Sequence, residues 1–296
     1  MSVPRIDAHL HFWQPACGFD NRPIADHAFY RRDFLPHDIA ADLDASGIDA
    51  AILVQTAPQV AETAWMIEQF ANAPRVAGIT AWVDLDTPAV DYAALVAQPK
   101  AVGIRAQLRR IADASFVCRP QVTRNMAAAL EAGLALTLLA EPRHYPHVLQ
   151  AFEQLPGGPI IFNHLAMPTP DTDRETWRRA LREFMRRPQT YVQLSGLPFL
   201  FGSQWQTADA RSLLDDVLDI AGPSNLLFAS DWPMLLRIAG YGDWVDAVTR
   251  FLARRGLAAA ETAAIFGANA LRAMPRATLP PFPVADGTTS IMELPA

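Results

Sequence analysis

The stretch Arg5-Ile-Asp-Ala-His-Leu-His-Phe-Trp13 decides how the rest of the chain is interpreted, because it combines an apolar strand pattern with two alternating histidines. Side chains alternate between the two faces of a strand, so polar and apolar residues should separate here. The expected polar face carries Asp7, His9 and His11, and the expected apolar face carries Ile6, Ala8 and Leu10. Two imidazoles at this spacing can converge on one metal ion or one water molecule. The spacing alone also fits a metal-independent pocket or a plain strand.

Seven further short apolar runs predict buried strands, and segments with helical periodicity separate them. With the first run, the predicted strands are Arg5–Phe12, Ala50–Gln55, Val76–Val83, Ala101–Gln107, Ala135–Ala140, Pro159–His164, Thr190–Ser195 and Asn225–Ser230. The predicted helices include Pro36–Ser46, Val60–Asn72, Val122–Ala132, Tyr145–Leu155, Arg174–Arg187 and Ala208–Ala221. Such alternation is typical of a parallel sheet.

Eight strand-helix units predict one α/β domain, a (β/α)8 TIM-like barrel over residues 1–274. An open doubly wound sheet is the structural alternative, because the pattern does not encode strand order. After Met274 the sequence becomes rich in Pro, Thr and Gly, which predicts an irregular C-terminal tail over residues 275–296, packed on the barrel or trailing from it.

The composition indicates a globular protein that acts on a small molecule. Of its 296 residues, 51% are hydrophobic and 19% are charged, and no apolar run approaches the length of a membrane span. The net charge of −6 argues against nucleic acid as a partner. The two cysteines, Cys17 and Cys118, form no metal-binding or disulfide pattern. With no signal-peptide pattern at the N-terminus, we expect a cytoplasmic protein; whether it forms a homo-oligomer stays open.

Polar residues also follow two other predicted strands, at the barrel end where active sites form. The sixth strand ends in Asn163-His164, and the eighth is followed by Asp231. Taken alone, His164 could cap a loop carbonyl and Asp231 could cap a helix N-terminus. Together with His9 and His11 they favour a functional cluster.

The segments IDAHLHFW, FNHLAMP and FASDWP resemble the amidohydrolase superfamily. More narrowly, they resemble its amidohydrolase-related (amidohydrolase 2) branch, which contains sugar-acid lactonases such as fuconolactonase and rhamnonolactonase, and 2-pyrone-4,6-dicarboxylate hydrolase. GIRAQLRR, FVCRPQV and VQLSGL fit the same branch, so the similarity spans residues 5–233. The resemblance implies a TIM-like barrel, hydrolysis at a carbonyl carbon, and His9, His11, His164 and Asp231 as the site residues.

Two departures from the wider superfamily argue against a binuclear metal centre. The only lysine, Lys100, precedes the fourth strand and is expected at the opposite mouth of the barrel, so it cannot be a carboxylated bridging ligand. The seventh strand offers Gln193 and Ser195 where a further histidine is common. Related lactonases tend to have DHLAKP where this chain has Asn163 and Met167, so we expect its substrate contacts to differ from theirs.

One metal ion or none therefore remains. His9, His11 and Asp231, with His164 or Glu141 as a further ligand, could bind one Zn²⁺ or Mn²⁺ and activate water. In a metal-independent route, Asp231 would take a proton from water while the three histidines hydrogen-bond the developing oxyanion.

Arginines near the strand ends suggest how an acidic or sugar-derived substrate would be held. Arg105 ends the fourth strand and Arg143 follows the fifth, and guanidinium groups bind carboxylates through two parallel hydrogen bonds. Trp13, Gln55 and Tyr145 are expected near the same mouth as further substrate contacts. A packing role fits these three equally well.

The sequence thus predicts a lactone hydrolase in which Asp231 is the general base. Two alternatives remain. One is a decarboxylase of an aromatic or muconate-type acid that uses one metal ion, and the other is a non-catalytic barrel that binds a small molecule.

Overall fold

The structure, a computed structural model, describes residues 3–19 and 27–279. Eight parallel strands follow one another around a single sheet in chain order, which confirms the predicted (β/α)8 barrel. The strands are β1 Ile6–Leu10, β2 Ala50–Val54, β3 Val76–Ala81, β4 Ala101–Ala106, β5 Ala135–Leu138, β6 Ile160–Phe162, β7 Thr190–Leu194 and β8 Leu226–Phe228.

Helices surround the sheet and cover the outer face of the strands. In the described chain they are α1 Pro36–Ser46, α2 Val60–Phe70, α3 Tyr92–Val96, α4 Pro120–Glu131, α5 Tyr145–Phe152, α6 Arg174–Met185, α7 Leu197–Phe201, α8 Ala208–Ala221, α9 Tyr241–Arg254, α10 Ala259–Ala263 and α11 Asn269–Ala273, with one π-helical turn at Ala264–Ala268. All six predicted helices are present. The sequence pattern did not single out the five-residue helices, because one turn carries too little periodicity to be recognised.

The barrel closes between β1 and the segment that follows β8. Leu10 forms a parallel bridge with Trp232. The backbone N–H of His11 donates to the Trp232 carbonyl at 2.8 Å, and that of Asp231 donates to the His9 carbonyl at 2.9 Å. Closure of the barrel therefore places the two histidines of β1 beside Asp231.

The simple alternation expected for β1 is wrong, because a β-bulge lies between Asp7 and Leu10. A bulge inserts one residue on one strand and shifts which face the following side chains occupy. Ile6 and Ala8 consequently pack inside the barrel, whereas Leu10 packs in the outer layer. The Asp7 carboxylate turns outward and accepts a hydrogen bond from the Tyr241 hydroxyl of α9 at 3.1 Å. His9 and His11 still reach the interior.

The core has two layers separated by the strands. The inner cluster joins residues from distant strands, such as Ile52, Ile161 and Leu227, which can meet only inside the barrel. The outer cluster packs the strands on the helices, as where Phe162 of β6 stacks on Phe184 of α6 with ring centroids 4.3 Å apart. Burial of one such aromatic side chain contributes roughly 1.5–3 kcal/mol.

The chain beyond α11 crosses the N-terminal mouth of the barrel. Thr278 donates from its backbone to the Ala77 carbonyl at 2.9 Å, and Lys100 Nζ donates to the Thr278 carbonyl at 2.8 Å. Lys100 therefore lies at the end opposite the histidines. Residues 275–279 form neither helix nor strand, and the rest of the predicted tail lies outside the described residues. Within the described ranges, no helix is both long and apolar enough to cross a bilayer.

Candidate active site

A cavity of about 420 Å³ opens at the C-terminal ends of the strands, where the sequence predicted the site. Its lining combines imidazoles, guanidinium groups, one carboxylate and aromatic rings. The lining residues in the described chain are His11, Trp13, His27, Tyr30, Thr56, Arg105, Gln107, Arg109, Arg110, Leu139, His164, Phe199, Asp231, Met234 and Arg237.

Three histidines surround one oxygen of Asp231. The distances to Asp231 Oδ1 are 3.3 Å from His11 Nε2, 3.7 Å from His9 Nε2 and 3.7 Å from His164 Nε2. His9 Nε2 and His11 Nε2 lie 3.2 Å apart. All four side chains are buried, so the fold brings together the four residues that the sequence predicted as a cluster.

The orientation of His9 is fixed by an amide network beneath it. Gln193 Nε2 donates to the Ala8 carbonyl at 3.1 Å, which turns Gln193 Oε1 toward the histidine. Gln193 Oε1 lies 2.9 Å from His9 Nδ1 and also accepts from Asn163 Nδ2 at 2.6 Å. The Gln193 acceptor favours the neutral ring with its proton on Nδ1 and the Nε2 lone pair toward the cavity, and Asn163 Nδ2, 3.1 Å from Nδ1, is a competing donor.

The other two histidines are held by similar contacts. His11 Nδ1 lies 2.7 Å from the Val54 carbonyl, an acceptor, so this nitrogen donates and His11 Nε2 is also unprotonated in the neutral ring. His164 Nδ1 lies 2.8 Å from Ser195 Oγ, and either atom can be the donor. Gln193 and Ser195, which distinguish this chain on the seventh strand, thus orient the histidines.

The donor set fits a divalent metal ion. His9, His11 and Asp231 each offer one ligand atom, and these atoms lie within 4.8 Å of one another. Two imidazole lone pairs and a carboxylate oxygen are acceptors only, so a cation between them relieves their mutual repulsion. Each ligating imidazole also donates its other N–H to an oxygen acceptor, as metal-bound histidines usually do.

Electrostatics keep His9 and His164 neutral and the carboxyl group of Asp231 ionised. Burial, followed by the neighbouring His11, His164 and Arg105, holds the pKa of His9 well below its ordinary value. Burial also lowers the pKa of His164 to about 4. Burial alone would raise the pKa of Asp231, but His164, His11 and Arg105 outweigh it, and the pKa lies below its ordinary value.

His164 begins a left-handed turn that the sequence pattern did not indicate. The four residues from His164 to Met167 have φ values of 51°, 56°, 59° and 62°. Each such residue costs roughly 1–2 kcal/mol, so the surroundings must hold the turn in place. Trp177 Nε1 donates to the Leu165 carbonyl at 2.8 Å, and the Tyr145 hydroxyl donates to the Ala166 carbonyl. Tyr145, predicted to contact substrate, supports this turn from behind.

Backbone strain also marks the other side of the site. Asp231 has φ of 61°. Gly196, at φ of 83°, packs so closely on His164 that an added Cβ would lie 2.5 Å from His164 Cβ. A glycine after β7 is therefore required for His164 to occupy its position.

Arg105 is the most buried cation of the cavity and lies at the histidine cluster. One Nη donates to the Gln55 carbonyl, and Nη1 lies 3.4 Å from His9 Nε2. Its Nε is buried and makes no hydrogen bond within the described structure. Burial lowers the pKa of Arg105 to about 10, partly offset by Asp231 and Glu62.

Two further residues that the sequence predicted as substrate contacts, Trp13 and Gln55, differ in whether they line the cavity. Trp13 lines the cavity and donates to the Tyr30 carbonyl at 3.1 Å. Gln55 is fully buried and contributes its backbone carbonyl to Arg105.

Arg143 and Glu141, in the loop after β5, contact the segment that follows β4. Arg143 donates to the carbonyls of Ile111 and Ala112, each at 2.9 Å, and thereby fastens the loop after β4. Glu141 pairs with Arg109 at 2.9 Å and does not join the group that could hold a metal in the described chain. These contacts satisfy both side chains at the rim.

Several lining residues could not be predicted from the sequence because they lie in single helical turns too short to show a periodic pattern. Tyr30 is buried, and its hydroxyl donates to the Met234 carbonyl at 2.8 Å. Arg237 reaches the cavity from the segment after β8, and Phe199 reaches it from the five-residue helix α7 after β7. Only proximity in the folded barrel identifies them.

Replacing Gln193 with leucine should weaken metal binding about 10- to 100-fold, because His9 loses the acceptor that fixes its tautomer. Metal affinity is measured by competition with a chromophoric chelator. Gln193→Glu, which keeps an acceptor at this place, is the matched variant and should retain more of the affinity. Equal affinity in wild type and Gln193→Leu would contradict the orienting role.

Comparison with known proteins agrees with this geometry. The amidohydrolase family model matches residues 6–276. An L-fucono-1,5-lactonase from Burkholderia ambifaria is 34% identical over 274 residues, covering 90% of this chain and 93% of the relative. An L-fucono-1,5-lactonase from Burkholderia multivorans is 31% identical and covers 92% of this chain and 96% of the relative.

A solved structure shows the same fold with a metal. It is the crystal structure of an amidohydrolase from Burkholderia multivorans with bound zinc, which superimposes with a TM-score of 0.84. The two chains are 32% identical, and the match covers 94% of this chain and 100% of the other. The family match spans the whole barrel, including β1, the left-handed turn after β6 and Asp231. The protein is therefore a member of the amidohydrolase family.

Proposed function

We propose that the protein hydrolyses a lactone of a sugar acid or a dicarboxylic acid, with Asp231 as the general base. The observation that carries the proposal is the ionised Asp231, buried at the floor of the cavity with three histidines within 3.7 Å of one of its oxygens. The two L-fucono-1,5-lactonases that match over most of the chain support the lactone as substrate.

The proposed reaction adds water to the ring carbonyl. Asp231 accepts a proton from the attacking water as the oxygen bonds to the carbonyl carbon, a role worth about 10²–10⁴-fold in rate. Collapse of the tetrahedral intermediate breaks the bond between the carbonyl carbon and the ring oxygen. The proton held by Asp231 then passes to the departing alkoxide, and the product is the open hydroxy acid.

The residues that would hold a metal are His9, His11 and Asp231, with His164 next to them. A bound Zn²⁺ or Mn²⁺ would supply Lewis-acid chemistry and lower the pKa of water to about 7. In the alternative route without metal, His164 and Arg105 are the groups placed to stabilise the carbonyl oxygen as negative charge develops on it. Both routes use Asp231 as the proton acceptor.

The cavity suits a small polar ring with oxygen substituents. Its volume of about 420 Å³ accommodates a sugar-sized molecule, and its lining includes the aromatic rings of Trp13 and Phe199 together with guanidinium groups. Arg105 offers the buried positive charge for an oxygen or carboxylate of the substrate.

Decarboxylation of an aromatic acid is the second candidate, since it would use the same single-metal site. A panel of lactones and aromatic carboxylic acids separates the two: a pH indicator reports acid release, and headspace analysis reports CO₂. The proposal predicts acid release from at least one lactone and no CO₂. CO₂ release without lactone hydrolysis would overturn it, and tight ligand binding without any product would favour a binding protein.

A further inference from the structure

We propose that Arg105 competes with the divalent metal for His9 Nε2 and so sets how tightly the site binds metal. This inference rests on the metal-assisted form of the proposed function, but its test requires no turnover. It follows from three features of the described structure: the fixed tautomer of His9, the position of the guanidinium group, and the burial of both.

His9 has a single lone pair to offer. Gln193 Oε1, an acceptor held in place through the Ala8 carbonyl, lies 2.9 Å from Nδ1, and the guanidinium donor of Arg105 lies at Nε2, so both contacts favour a proton on Nδ1 and a lone pair on Nε2. Arg105 Nη1 lies 3.4 Å from His9 Nε2, within reach of that lone pair. A lone pair that accepts this hydrogen bond cannot coordinate a metal ion at the same time.

The charge of Arg105 adds to this competition. Arg105 and His9 are both almost fully buried, with 4% and 0% of their surface exposed, so water screens the cation poorly. A divalent ion bound by His9 would therefore repel the guanidinium group. The contact of Arg105 with the Gln55 carbonyl holds the group in place and resists its displacement.

The hydrogen bond between Arg105 and His9 gives Arg105 two successive roles. Before metal binds, its positive charge balances the acceptors of His9, His11 and Asp231. When metal binds, Nη1 must leave His9, and because Arg105 lines the cavity, this donor becomes available to a substrate oxygen. Metal binding and substrate recognition are thereby coupled through one side chain.

The test measures zinc affinity in purified wild type, Arg105→Met and Arg105→Gln by competition with a chromophoric chelator. We expect both variants to bind Zn²⁺ about 10-fold or more tightly than wild type. Arg237→Met is the matched control, because Arg237 also lines the cavity but is not among the neighbours that act on the pKa of His9. Its zinc affinity should stay within about 3-fold of wild type.

Thermal unfolding with and without zinc gives an independent readout for the same proteins. Loss of the balancing charge should lower the Tm of zinc-free Arg105→Met and enlarge the Tm increase that zinc produces. Arg105→Lys, which keeps the charge, should resemble wild type more closely. Equal or weaker zinc binding in both neutral variants would overturn the inference, as would a wild type that binds neither Zn²⁺ nor Mn²⁺. The panel of lactones tests hydrolysis separately, since it measures product formation by the wild-type protein.

Discussion

Asp231→Asn should lower kcat for lactone hydrolysis by about 10²–10⁴-fold while leaving the fold intact. Asparagine has nearly the same shape as aspartate but cannot accept the proton from water. The backbone contacts of this residue, to the His9 carbonyl and from the N–H of Met234, do not involve the side chain and are expected to persist. Initial rates of acid release, corrected for spontaneous hydrolysis, measure the effect.

Two controls separate chemistry from structure in this variant. Circular dichroism should stay close to wild type because the packing is unaltered, whereas the free energy of unfolding should fall because buried Arg105 loses a partner charge. Metal content must be measured as well, since Asp231 is also a candidate ligand. Near-wild-type turnover by a folded Asp231→Asn protein would eliminate Asp231 as the general base.

The second large effect is expected for His11→Asn, which should lower both metal affinity and kcat by about 100-fold or more. The asparagine amide can imitate His11 Nδ1 and keep the hydrogen bond to the Val54 carbonyl. It cannot imitate Nε2, which lies 3.3 Å from Asp231 Oδ1. Metal affinity by chelator competition and steady-state kinetics check both parts.

His11→Gln is the matched variant for this prediction. Glutamine reaches toward the position of Nε2 and should preserve more metal binding than asparagine, although it loses the bond to Val54. If the asparagine variant retained wild-type metal affinity and turnover, His11 would have no role beyond packing in the barrel.

The barrel and the residues of its site could be predicted from sequence because both depend on short local patterns. Eight apolar runs separated by amphipathic segments are sufficient to predict the fold. The four site residues His9, His11, His164 and Asp231 lie at the C-terminal ends of three parallel strands. Parallel strands bring such ends together whatever the intervening sequence.

Other features depend on contacts between distant residues and could not be predicted. The bulge in β1 turns Asp7 outward to Tyr241, more than 200 positions away in the printed sequence. The left-handed turn at His164 depends on a donor from Trp177 and on the absence of a side chain at Gly196. Neither the bulge nor the turn leaves a periodic signal in the chain.

Arg105 and Arg143 also show that contacts between distant residues cannot be predicted from local sequence. Arg105 ends a predicted strand and Arg143 follows one, and the sequence predicts both as substrate contacts. In the fold, Arg105 is buried against His9, whereas Arg143 is bound by the carbonyls of the neighbouring loop. Which arginine meets the cluster is decided by the direction of each side chain at the barrel end.

The most direct test of the central claim is the initial rate of acid release from L-fucono-1,5-lactone and a panel of related lactones by the zinc-loaded wild-type protein. We predict that at least one lactone is opened at a rate that rises in proportion to protein concentration and saturates with substrate. Rates equal to spontaneous hydrolysis for every lactone in the panel would contradict the account.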